Sequence, residues 1–297
     1  MTDSLRTRLA SPDILVAPGC YDALSASLIE RAGFAAAYLS GASIAYTRFG
    51  RPDLGLVGMD EVAETLMAIR ERVTAPIIVD ADTGFGNVTN VARTVRLYER
   101  AGVAGLFIED QVFPKRCGHM AGKAVVPTAE WIAKLRSALD ARTDPDFVVM
   151  ARTDALAVHG VDEAIERAQI AREAGADLLF VEAPTDVDQM RRICREVPGP
   201  CLANNVEAGR SPVLPASELE AIGYAAVVFP VAATYAVARA LRDLFATIRR
   251  SGTTADAQAR LTTFDEFNEL VGLSSQRRRE ASLTDEADRL VSQRRRR

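Results

Sequence analysis

Short apolar runs punctuate the chain at Ile14 to Ala17, Ala35 to Leu39, Ile77 to Val79, Gly105 to Ile108, Phe147 to Met150, Leu178 to Val181, Cys201 to Ala203 and Ala226 to Phe229. Runs such as VVMA, LLFV and AVVF show no polar alternation, the pattern of strands covered on both faces. Between them lie segments whose apolar positions recur at helical spacing, among them Asp60 to Val73, Val88 to Ala101, Ala129 to Ala141 and Val161 to Ala174. Several close on Ala-Gly, where glycine supplies the left-handed residue that ends a helix. Strand then helix, eight times over, predicts an α/β fold, a parallel (β/α)8 barrel. A doubly wound open sheet is the competing arrangement, but it calls for a GxGxxG turn after the first strand. The glycines of Asp82 to Asn87 follow the third run and fit neither that turn nor a phosphate loop.

The eighth helix breaks near Gly252, and Leu261, Phe264, Phe267, Leu270 and Val271 then recur at helix-compatible spacing. A closed barrel has no place for this segment, so it packs either on its own barrel or on a neighbouring subunit. The expected organisation is a catalytic barrel over 1–252, a C-terminal helical segment over 253–275, and a charged, solvated, partly disordered tail over 276–297 that ends in QRRRR.

Composition narrows the function. Of 297 residues, 48% are apolar and 26% charged, an ordinary globular balance. The net charge of -4 gives no footing for nucleic acid. No apolar stretch approaches the ~20 residues that span a bilayer, and MTDSLRTRLA has no apolar signal core, so a cytoplasmic protein without membrane contact is expected. Four widely spaced cysteines without a CxxC pair, and only His119 and His159, leave too few ligands for zinc, so any metal should sit on oxygen.

A barrel of this kind builds its active site at the C-terminal ends of its strands. The residues that follow the runs are polar: Ser40, Gly41 and Ser43 after the second, Asp80 and Asp82 after the third, Glu109 and Asp110 after the fourth. Arg152 and Asp154 follow the fifth, Glu182 the sixth, and Asn204 and Asn205 the seventh. Asp80, Asp82 and Glu109 bring like charges together, which a hard divalent ion such as Mg2+, or Mn2+ in its place, would neutralise through oxygen ligands and water. Capping of helices or pairing with arginines is the plainer role for the same acids. Arg152 suits a substrate carboxylate, or else a salt bridge to Asp154 or Glu182. Asn204 is either a neutral donor to substrate or turn chemistry. His159, at a helix start beside Gly160, reads as structural.

Pro114 to Lys123, PKRCGHMAGK, has the glycine-punctuated polar composition of a flap. A lone cysteine is more often an inert core residue, but Cys117 sits amid Lys115, Arg116 and His119. Their positive charge is expected to favour its thiolate and to allow proton exchange near neutral pH.

VAPGCYDALSA, YLSGAS, RPDLG, DADTGFGN, FIEDQ, PKRCGHMAGK, MARTDA, EAP and LANNVEAG together resemble the isocitrate lyase and phosphoenolpyruvate mutase superfamily, in its smaller methylisocitrate lyase-like branch. The resemblance covers most of the barrel. It implies a homotetramer, a dimer of dimers with swapped C-terminal helices, acting on a small carboxylic acid. It implies that Asp82 binds magnesium, that Asp53, Asp80 and Glu109 hold its waters, that Ser40, Gly41, Arg152 and Asn204 contact substrate, and that Cys117 is the catalytic acid. Tyr38 and Glu182 complete the surroundings. Three features depart from the methylisocitrate lyase pattern: Phe107 stands where a histidine commonly precedes Ile-Glu-Asp, Ala42, on the substrate side, replaces a second glycine, and NNVEAGRSP is closer to the dimethylmalate lyase and mutase loops. The implied reaction is cleavage of a 2-hydroxy di- or tricarboxylate, of 2-methylisocitrate or 2,3-dimethylmalate type, to pyruvate and a second acid such as succinate or propionate. Oxaloacetate decarboxylation or hydrolysis, phosphonopyruvate-type mutase chemistry, and an idle barrel serving as an assembly subunit are the alternatives.

Overall fold

A computed structural model describes residues 4–296. Its strands are β1 (Leu15–Cys20), β2 (Ala37–Leu39), β3 (Ile77–Asp80), β4 (Gly105–Glu109), β5 (Val148–Thr153), β6 (Leu178–Val181), β7 (Leu202–Asn204) and β8 (Ala226–Phe229). They pair in parallel in the order β6-β5-β4-β3-β2-β1-β8-β7. The gap between β6 and β7 is crossed by a single parallel bridge, Leu179 to Cys201, so the sheet is a nearly closed (β/α)8 barrel. The eight strands fall on the eight apolar runs. β1 ends later than its run because Pro18-Gly19-Cys20 reads as punctuation. Gly19 is instead a strand residue pressed against the end of β8, where a Cβ would stand 2.5 Å from the Pro230 carbonyl oxygen.

A period of two sorts each strand between two cores. Leu15, Ala17, Tyr38, Ile78, Phe107, Val148, Met150, Leu178, Phe180, Leu202, Ala226 and Val228 fill the barrel interior. Their neighbours, such as Leu39, Val79, Leu106, Ile108, Val149, Ala151, Leu179, Ala203 and Val227, pack outward among helix residues including Leu66, Val95, Leu135 and Ala168. The helices start where local chemistry caps them: the side chains of Asp22, Ser40, Asn87 and Asp186 each accept a backbone N–H of the first turn.

A short helix absent from the sequence reading, Leu5–Leu9, packs Leu5 and Leu9 into the interior cluster. Arg6 from this helix and Arg142 clip it through Asp177, at 2.8 and 2.7 Å, while Asp177 also accepts from Val149 N at 2.9 Å. These partners outweigh the burial that would raise the Asp177 pKa, and hold it below the usual carboxylate range.

The chain divides into two compact units, Met1–Ala236 and Val237–Arg297, at a point inside helix Ala232–Ser251 rather than at residue 252. The second unit continues through a 3-10 turn at Ala255–Arg260 and helices Phe264–Leu270 and Leu273–Arg295. The tail expected to be partly disordered from 276 is thus the body of a 23-residue helix. Its charge content suggested solvation, but arginine, glutamate and leucine are also good helix formers, and no residue of this helix is buried. Among the described residues no helix is long and apolar enough to cross a membrane.

Leu5 is 1% exposed in the barrel interior. Its replacement by alanine is expected to destabilise the barrel by about 2–4 kcal/mol, through lost burial and the cavity left behind. Urea unfolding followed by tryptophan fluorescence checks this, since Trp131 is fully buried in the barrel unit.

Candidate active site

The interior period of two continues past the apolar layer. Ser40, Asp80, Glu109, Arg152, Glu182 and Asn204 each stand two residues beyond an inward-facing residue, Tyr38, Ile78, Phe107, Met150, Phe180 and Leu202 respectively. Strand geometry therefore aims all six at the mouth. There all but Glu109 border a small cavity of about 50 Å³ whose lining includes Tyr38, Ser40, Ala42, Asp53, Asp80, Cys117, His119, Arg152, Glu182 and Asn204. Gly41, Asp82, Glu109 and Lys115 are not among its lining residues. Asp82, Glu109 and Lys115 are buried, and a Cβ on Gly41 would stand 3.5 Å from Asp80 Oδ2.

The acids are organised by backbone strain and one cation. Asp82 has φ +47°, an uncommon conformation for a side-chain-bearing residue, and its N–H is held at 2.9 Å by Asp80 Oδ1. Its carbonyl accepts from Glu109 N at 2.9 Å, which ties the third strand's loop to β4. Lys115 Nζ lies 2.8 Å from Asp53 Oδ1 and 2.7 Å from Asp82 Oδ1, with the lysine 3% exposed. Burial pushes Asp82 up to about 8 against the pull of Lys115, with Asp80 and Asp53 adding to the rise. Burial also lifts Glu109 well above the carboxylate range, although Arg152 opposes it. Neither Glu109 oxygen receives a hydrogen bond among the described residues, and Arg152 Nε is 3.3 Å from its Oε2.

This crowd of buried, under-partnered oxygens fits a hard divalent cation. Among the described residues no three acidic, histidine or cysteine side chains close on one point at coordinating distance. A cation here would therefore rest on one or two carboxylates and on water.

Residues 114–123 lie across the mouth. Gln111 clamps the backbone of Arg116 from both sides, donating to its carbonyl at 2.8 Å and accepting its N–H at 3.0 Å. Cys117 N donates to Asp53 O at 3.2 Å. His119 Nε2 stands 3.0 Å from Glu182 Oε1, and its Nδ1 accepts from Arg210 N at 2.9 Å. Lys123 Nζ donates to Gly118 O and to Asp154 Oδ1. Only glycine fits at 118, because a Cβ would meet Arg152 Nη2 at 2.4 Å.

This arrangement corrects the reading of the cysteine. Its thiol is pushed up, not down: burial is the largest cause, Asp53 and Glu182 add to it, and a backbone hydrogen bond at His119 and the charge of Arg152 only partly oppose it. The neighbouring cations are spent elsewhere, Lys115 on Asp53 and Asp82 and His119 against Glu182, while Arg116 is exposed. Cys117 borders the cavity as a thiol rather than a thiolate.

Arg152 lies among carboxylates, with Nε 3.0 Å from Asp154 Oδ2 and Nη2 3.4 Å from Glu182 Oε2. Burial would raise the Glu182 pKa, but Arg152, His119 and Lys123 outweigh it and hold Glu182 at about 2. Asn204 Nδ2 donates to Glu182 at 3.2 Å, and its Oδ1 is buried without a partner. Other polar residues after the strands turn away. Asp110 accepts from Thr153, Asp154 N and Arg167, Ser43 donates to Pro230 O, and Asn205 donates to Leu214 O. His159 is exposed at the end of helix Leu156–His159.

One wall was read from the sequence only at Ala42. Ala42, Val206 and Val231 form a small apolar cluster with Tyr46, and Pro230 and Tyr235 extend the same lining. The rule that found the rest, applied after β8 as after the other strands, would have found Pro230 and Val231. Tyr46, one turn into helix Gly41–Arg48, had no signal.

A family model described as phosphoenolpyruvate phosphomutase matches residues 5–249. The chain is 46% identical to 2,3-dimethylmalate lyase of Eubacterium barkeri over 91% of its own length and 93% of the relative's. It is 43% identical to 2-methylisocitrate lyase of Aeropyrum pernix over 97% and 92% of the two chains. Among solved structures, oxaloacetate acetylhydrolase bound to 3,3-difluorooxalacetate superposes with a TM-score of 0.89 at 34% identity, covering 95% of this chain and 97% of that one. Phosphonopyruvate hydrolase in complex with oxalate and Mg++ gives 0.85 at 34% identity, over 93% and 96%. With the match spanning the barrel, the chain is an enzyme of the phosphoenolpyruvate mutase and isocitrate lyase superfamily.

Proposed function

We propose that this enzyme is a magnesium-dependent carbon-carbon lyase that cleaves a 2-hydroxy dicarboxylate bearing alkyl groups, of the 2,3-dimethylmalate type, to pyruvate and a second carboxylic acid. The observation that carries this reading is the placement of the Cys117 thiol on the same small cavity as Arg152, Asp53, Asp80 and Glu182, where burial pushes the thiol up. The apolar wall of Ala42, Val206, Val231 and Tyr46 supports an alkyl-bearing acid over a tricarboxylate.

In this reading Arg152 and Asn204 hold the carboxylate of the pyruvate half, with Ser40 and Gly41 at the start of helix Gly41–Arg48 beneath it. Asp82 would hold Mg2+, or Mn2+ in its place, with Asp53, Asp80 and Glu109 on its waters, and the ion would supply Lewis-acid charge to the developing keto group. The substrate hydroxyl gives its proton to a carboxylate bordering the cavity, Asp53 or Asp80, and the electron pair of the C–O– group forms the keto group. The adjacent C–C bond breaks, and its electron pair passes to the leaving acid. Cys117 gives that carbon its proton. Burial suits the thiol to this step, because a general acid must arrive protonated. Glu182 keeps its charge and orients Arg152, His119 and Asn204. The carboxylic substrate is also small enough for the loop of residues 114–123 to cover.

Cys117→Ser is expected to lower kcat by ~10²-fold or more while KM moves only a few-fold, in a pyruvate-coupled assay run on 2,3-dimethylmalate and 2-methylisocitrate side by side. The wild type should prefer the alkylmalate and lose activity to a thiol alkylating agent, with Cys20, Cys194 and Cys201 variants as controls. A serine variant at the wild-type rate would move the assignment to oxaloacetate hydrolysis or phosphonate chemistry.

Chelation by EDTA should abolish turnover and magnesium restore it, whereas Asp82→Ala should stay inactive after metal is added; calorimetric titration with Mg2+ reads the same loss as absent binding.

The exposed apolar residues of the second unit, Phe264 at 83% and Phe245 at 60% among them, support a homotetramer built as a dimer of dimers with swapped C-terminal helices. A chain ending before Leu261 should then show a smaller mass, or aggregation, by light scattering; an intact soluble tetramer would disprove the swap.

A further inference from the structure

The hydrogen-bonding partners of Arg152 anchor one side of its guanidinium and leave the tilt of its plane undetermined. Nε and Nη2 face Asp154, Glu109 and Glu182, and Nη1 makes no hydrogen bond or ion pair among the described residues. The central carbon of the guanidinium lies over two aromatic rings, 5.5 Å from the centroid of Phe107 and 5.1 Å from that of Phe180. The two rings meet edge to face, 5.6 Å apart at 85°, and Phe107 stacks on Tyr38 at 6.1 Å and 11°. Phe107 is 0% exposed, so this floor is dry.

We propose that Phe107 is a positioning residue for substrate binding: its ring face sets the plane of the Arg152 guanidinium so that Nη1 meets the substrate carboxylate. The physical reason is a division of labour around one cation. Carboxylates attract a guanidinium at its edge and hold it within its own plane, but they compete with the substrate for the same N–H groups. An aromatic face attracts the cation from below, consumes no N–H, and penalises rotation about the side-chain axis. Phe107 is placed for this by β4, whose next inward residue is Glu109, so one strand supplies both the floor and an edge partner. Phe107 also touches Tyr38, which lines the cavity, and therefore joins Arg152 to the opposite rim through stacked rings.

The inference rests on Arg152 binding the substrate carboxylate, so the test separates the two. Pyruvate binding in magnesium buffer is measured by calorimetry, and turnover by the pyruvate-coupled assay. The proteins are wild type, Phe107→Leu, Arg152→Lys and the double variant, with Phe107→Met replacing the leucine variant if that one fails to fold. Loss of the ring face should raise the pyruvate Kd and the KM by about tenfold, with a smaller change in kcat. In the Arg152→Lys background, where no planar group remains to be oriented, the same substitution should change binding less than twofold, a coupling that a packing role would not produce. Equal losses in both backgrounds, or an unchanged Kd in Phe107→Leu while Arg152→Lys weakens pyruvate, would overturn the proposal and leave the lyase reading standing. Unweakened pyruvate binding in Arg152→Lys would instead remove the premise.

Discussion

Six carboxylates, Asp53, Asp80, Asp82, Glu109, Asp154 and Glu182, are buried together at one end of the barrel, and their mutual repulsion is the constraint that shapes everything around them. The chain answers with Lys115, Lys123 and Arg152, each drawn from a different position and each shared between acids or between an acid and the backbone. The outcome differs from acid to acid. Glu182, with Arg152, His119 and Lys123 around it, is held at about 2, while Asp82, opposed by Asp80 and Asp53, rises to about 8. One mouth therefore holds carboxyl groups pushed in opposite directions by their neighbours, without any difference in side-chain chemistry.

Much of this was legible in the sequence, because a parallel barrel strand is read twice. Apolar runs such as LLFV mark a strand buried on both faces, and the polar residue two positions past its last inward member marks the mouth; Phe180 and Glu182 show both. Where the reading fell short, the missing information was three-dimensional. The acidity of Cys117 depends on where the charges of Lys115 and His119 are spent, and that is settled by residues more than fifty positions away in the chain, such as Asp53 and Glu182. Counting cations nearby in sequence gave the wrong sign. After 276 charge density and helix propensity point in opposite directions, and the chain is helical over Leu273–Arg295.

In the proposed function the apolar wall and the aromatic floor would carry the selectivity that the ionic residues cannot. Carboxylates, an arginine and an oxygen-only acid ring suit every 2-oxo acid chemistry represented among the relatives. Ala42, Val206, Val231 and Tyr46 bear on what the far end of the substrate can be, and they come from two loops and a helix with no motif to announce them.

Lys115 and Cys117 are two residues apart on the same loop, and that spacing has a consequence for the timing of product escape. Because one ammonium is shared by Asp53 and Asp82, the loop that carries Cys117 is fastened to the acid ring by charge. In the proposed lyase, lifting that loop would part the ammonium from both acids and withdraw the thiol in the same movement, so the ions and acidity around the mouth would bear on how long it stays closed.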